Sequence, residues 1–120
     1  MEKNEIFSRF LNQIPQLTSF YDHEMEILYP NEMTEYLFFA YVLEPQLELA
    51  VSHHDMNIIR NIFCEIEWYI VNHPNTCEDM INTSLFEDLE ELLASEKLDD
   101  YMMPQTQKMW KAYLQNSTPK

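Results

Sequence analysis

Four histidines, two cysteines and 21 acidic residues are the side chains of this 120-residue chain with reactive chemistry to offer. His53, His54 and Asp55 stand together, and imidazole with carboxylate suits zinc or iron. Their spacing argues against a site. Neighbouring residues on a helix point about 100° apart, and no HxxxH or ExxH pair is present. The stretch also falls at a helix junction, where Asp55 reads as an N-cap. Glu65 with Glu67, and Glu87 with Glu91, are spaced to hold a divalent cation or to work as acid and base. Such work needs a cleft and displaced pKa values, and carboxylates are so abundant here that their pairing carries no signal. Cys64 and Cys77 do not form a CxxC pair; each falls where a buried apolar residue fits, so both read as reduced core cysteines. No serine or cysteine has a base beside it in a nucleophile motif. The chain has no glycine, which excludes the glycine-rich cradles that hold phosphates and dinucleotides. The expectation is a protein that is not an enzyme, with no metal and no cofactor.

Charge is the stronger signal. The chain carries 21 acids against seven bases, a formal net charge of −14. Arg9 and Arg60 bracket eight acids with no base among them, and Arg60 and Lys97 bracket nine. Such a field repels nucleic acid and anionic membrane and speeds encounter with a basic protein. Solubility is the plainer use of the same charge. No apolar signal-like run follows the N-terminus, and YLFFAYVL at 36–43 is too short to span a bilayer; the expected address is the cytoplasm.

The elements that hold these residues are helical. Ile6, Phe7, Phe10, Leu11 and Ile14 recur at helical spacing, and Pro15 ends that stripe or opens the next. Leu17, Phe20, Tyr21, Met25 and Leu28 trace a second. YPNEM at 29–33 breaks the chain, and Thr34 or Asn31 caps a buried helix through YLFFAYVL. Pro45 bends or restarts it. After Asp55 comes a wide stripe of Ile58, Ile59, Ile62, Phe63, Ile66, Tyr69 and Ile70, with Glu65 expected on the opposite face. NHPNT breaks again, and Thr76 with Asp79 resembles a capping box. Cys77, Met80, Ile81, Leu85, Leu89 and Leu92 then face a core, with Glu78, Asp79, Glu87, Asp88, Glu90 and Glu91 opposite. Pro104 opens a last helix with Met109, Trp110, Tyr113 and Leu114 available for burial. Asn31, Asn72 and Asn75 are the candidates for left-handed backbone in a chain without glycine. The expected architecture is all-α: a single domain over 1–116 of five or six helices, in an irregular bundle or a short helical-hairpin array, with a frayed tail at 117–120.

Two stretches, INTSLFEDLEELL from Ile81 and LDDYMMPQTQKMWKAY from Leu98, resemble a pattern in small all-helical bacterial immunity-type proteins of polymorphic toxin systems. The shared parts are a triplet at Leu85, Phe86 and Glu87 and a proline-started final helix with tryptophan. Met103 stands where such families often have glycine. The resemblance covers about the C-terminal third. It implies a cytoplasmic protein that binds and neutralises a cognate toxin. With the charge layout, the expected partner is a basic toxin, plausibly a nuclease, met by Glu78, Asp79, Glu87, Asp88, Glu90, Glu91, Asp99, Asp100, Tyr101 and Trp68. Aromatic anchors would supply affinity and carboxylates the on-rate, although Trp68 fits a core equally well. The alternative is an acidic nucleic-acid mimic or adaptor acting on a host DNA-binding protein.

Overall fold

A helix with an apolar stripe is stable only when that stripe is covered, and this chain covers six of them. The computed structural model describes residues 5–117, and among these no strand occurs. The fold is all-α, as expected. Helix α1 spans Glu5–Gln13, and a single 3-10 turn, Pro15–Leu17, leads into α2, Thr18–Leu28. Helix α3 (Glu35–Phe38), a π-helical segment (Phe39–Leu43) and α4 (Glu44–Ser52) run on as one helix. Helix α5 spans Met56–Asn72. Helix α6 (Cys77–Ile81), a second π segment (Asn82–Phe86) and α7 (Glu87–Ser95) form another continuous helix. A 3-10 turn, Leu98–Tyr101, precedes α8, Pro104–Ser117. Of the expected tail, Ser117 closes α8 and residues 118–120 lie outside the described residues.

The chain groups into two compact units, Met1–Ile62 and Phe63–Lys120, with the boundary inside α5. In the first unit Phe38 is fully buried and organises the core. Its ring stacks on Phe7 at 4.7 Å and meets Phe10 and Tyr21 edge-on at 5.6 and 6.1 Å. Burying such a ring contributes about 2–3 kcal/mol, and the aromatic geometry adds to it. Thr34 caps this helix as expected, its Oγ1 accepting from the Leu37 N–H at 3.2 Å. Asp55 caps α5, its Oδ1 accepting from the Ile58 N–H at 3.3 Å.

In the second unit Phe86 is the fully buried counterpart. It packs against Trp110 at 5.0 Å and Tyr113 at 5.5 Å. Trp110 is a core residue, as the stripe implied.

The two interrupted helices share one plan. In each, the residue after the π segment donates five residues back: Glu44 N–H to Phe39 O, and Glu87 N–H to Asn82 O. Proline explains the first. Pro45 has no N–H and its ring crowds the carbonyl four residues earlier, so the widened turn lets the helix pass through it without a break. Hydroxyls accompany the second. Thr83 Oγ1 donates to Asp79 O at 2.6 Å and Ser84 Oγ donates to Met80 O, back-bonds that bend a helix. Both helices end alike, with His54 and Lys97 at φ 56° and 54°.

That last observation is a correction. The left-handed positions are not Asn31, Asn72 or Asn75 but His54 and Lys97, because the turn that ends a helix needs that conformation at a fixed place, whatever residue is there. Thr76 makes no side-chain cap bond, with φ −116° and ψ −14°, so the capping box with Asp79 does not form. Cys64 is exposed and only Cys77 is buried. Glu65 is 5% exposed, so it sits on the covered face of α5 rather than opposite it; α5 is buried on more of its circumference than one stripe provides.

Candidate functional site

The acidic residues singled out from the sequence all belong to the second unit. Glu78 and Asp79 are exposed in the first turn of α6. Glu87, Asp88 and Glu91 are exposed on α7, around a kink where Leu89 takes φ −115° and ψ 20°. Asp99 and Asp100 are exposed on the 3-10 turn before α8. Seven carboxylates thus face outward while Leu85, Phe86, Leu89, Leu93 and Leu98 hold the same segments inward. Each buried leucine contributes roughly 2 kcal/mol, against a few tenths for a like-charge neighbour, so the apolar side carries the charged side at little cost.

Three of the selected residues behave differently. Glu90 is half-buried and accepts a 2.8 Å hydrogen bond from the Tyr113 hydroxyl. Burial first, then that bond and the charges of Glu90, Glu87 and Asp88, push the Tyr113 hydroxyl up to about 12. Glu90 is therefore a tie between α7 and α8 as well as a surface charge. Tyr101 is half-buried. Trp68 is also half-buried, with its ring edge-on to the His73 imidazole at 5.6 Å.

Sequence reasoning missed Glu67. Its carboxylate accepts from the Gln105 and Thr106 N–H groups, both at 3.0 Å, and from the Thr106 hydroxyl at 2.9 Å. The first turn of α8 has Pro104 at its head and needs acceptors for the next N–H groups. Glu67 supplies them from far back in the chain. The missing local cap before Pro104 was the only trace of this.

Two concavities accompany the surface. In the second unit a groove of about 620 Å³ is lined by Val71, Cys77, Glu78, Lys108, Met109 and Tyr113, among others. The Cys77 thiol donates to Pro74 O at 3.8 Å, and burial pushes its pKa up, away from the reactive thiolate. In the first unit a cleft of about 350 Å³ is lined by Gln16, Ser19, Phe20, Gln46, His53 and Asp55, with Leu49 and Ile58. His53 and Asp55 thus share a cleft, while His54 is exposed at the left-handed position. Among the described residues no three His, Cys, Asp or Glu side chains are grouped to hold a metal ion.

A family described as a domain of unknown function (DUF7674) matches residues 7–117, from α1 to the end of α8. The chain belongs to this family. Neither a curated protein nor a solved structure matches the chain. The DUF7674 match takes in both compact units, so the acidic surface and both concavities lie within the family's extent. No helix among the described residues is long and apolar enough to cross a membrane.

Proposed function

We propose that this DUF7674 protein acts by stoichiometric binding rather than catalysis, as an immunity protein for a basic toxin. The observation that carries the reading is the outward display of Glu78, Asp79, Glu87, Asp88, Glu91, Asp99 and Asp100 on segments anchored by buried leucine and phenylalanine. A rigid display of like charge steers a basic partner and rejects anionic ones. A toxin whose own substrate is nucleic acid presents the matching positive groove, and occupying it excludes the phosphates. The half-buried Trp68 and Tyr101 are the aromatic candidates for lasting contact, since affinity rests on few anchors. The proposed setting is the cytoplasm of the bacterium that makes the toxin.

The test is recovery of bound partners from the native cell lysate at low and high salt, with identification by mass. The native protein should bring down a basic toxin domain in near-equal amount. A Glu87→Lys, Asp88→Lys, Glu91→Lys variant with unchanged circular dichroism should not. Equal recovery by both proteins removes this surface from the interface. Background proteins alone, at both salts, would leave the charge with solubility as its use.

A further inference from the structure

Gln46 is 4% exposed, on the inner side of α4, and lines the cleft of the first unit. No hydrogen bond among the described residues engages its side-chain amide, and neither amide atom is sealed away from solvent without a partner. The amide therefore opens into the cleft. Holding an amide in a buried place without a protein partner costs stability. The matching position of the other interrupted helix, third in its nine-residue α segment, is the buried Leu89. An apolar residue thus serves at this place in the plan, and Gln46 forgoes it.

We propose that this cleft binds a guanidinium group. The side chains around it supply acceptors: the amide oxygens of Gln46 and Gln16, the Ser19 hydroxyl, the His53 ring and the Asp55 carboxylate. Asp55 is the acid that lines it and no lysine or arginine does, so in a chain of net charge −14 a cation is drawn in and an anion is turned away. A guanidinium carries five N–H donors in a flat fork, which suits several acceptors at once better than a compact ammonium does. Phe20 offers a ring face for the flat cation, and Leu49 and Ile58 offer apolar wall for an alkyl stem. About 350 Å³ is ample for a whole arginine side chain. The site lies within residues 16–58 and stands whether or not the acidic surface of the other unit binds a toxin.

The experiment is a titration of the isotope-labelled full chain, followed by NMR at the Gln46 side-chain amide, the His53 ring and the backbone of 49–55. The probes are Nα-acetyl-arginine amide, free arginine, citrulline and Nα-acetyl-lysine amide. Saturable shifts are expected with the guanidinium probes, with citrulline and the lysine probe at least about tenfold weaker. Preference for the capped arginine identifies a residue of a polypeptide as the source; equal response to free arginine identifies a small molecule. Gln46→Leu should abolish the shifts, and so should Ser19→Phe, which fills the cleft from an exposed position on α2. The proposal is overturned by silence with both guanidinium probes, by an equal response to citrulline, or by undiminished binding in both variants.

Discussion

The helix through residues 35–52 and the helix through 77–95 are built alike and used differently. Each inserts five π residues and then runs nine α residues to a left-handed turn. Glu44, Glu48, Leu49 and Ser52 of the first recur as Glu87, Glu91, Leu92 and Ser95 of the second. Yet Glu44 is buried where Glu87 is exposed, and Gln46 is buried where Leu89 is. Leu47 is fully covered where Glu90 reaches Tyr113. The first helix keeps polar groups inward beside a cleft; the second turns its carboxylates outward. The same backbone plan thus yields two surfaces of opposite character, and burial decides which residues remain free to meet a partner.

The comparison breaks most sharply at its matched buried pair. Leu89→Gln should destabilise by about 3 kcal/mol, since it removes apolar burial and adds an unmatched amide. Chemical denaturation measures this; a loss below about 1 kcal/mol would mean that the kinked turn accommodates an amide after all. Next in size is Glu67→Ala, which strips three acceptor contacts from the start of α8 and should cost about 2 kcal/mol. The loss of amide protection should be greatest in the first turn of α8, and uniform loss along the chain would speak against a capping role.

The reciprocal swap, Gln46→Leu, should raise stability by about 1 kcal/mol while removing the polar wall of the cleft. A fall in melting temperature would show that the amide has a structural partner. Tyr113→Phe should cost about 1 kcal/mol near neutral pH through the lost bond to Glu90. It also has an alkaline signature. The folded pKa is raised from 10 to about 12, so the stabilisation is complete below pH 10 and is lost as pH rises towards 12. The variant should lack that decline, and absorbance titration of the tyrosines should lose its most alkaline step. Smallest, His54→Gly and Lys97→Gly should each stabilise by about 0.5 kcal/mol or a little more by relieving left-handed backbone. Equal effects would confirm that the two turns are equivalent; a clear difference would show that one is held by its surroundings.

Much of this chain was legible as pattern. Helical spacing gave away all six helices, and Thr34 and Asp55 could be named as caps because a cap lies within three residues of the N–H it serves. Pro104 marked the start of α8 for the same local reason. The acidic character of 77–101 follows from composition alone, since charge needs no partner to be counted. Tertiary packing decided the rest. Glu65 and Gln46 are buried because neighbouring helices cover those faces, and periodicity cannot count neighbours. Glu67 finds Gln105 and Thr106 across a long loop of chain, and Glu90 finds Tyr113 likewise. Which carboxylates stay on the surface and which become struts depends on contacts distant in sequence. A single chain records those only once it has folded.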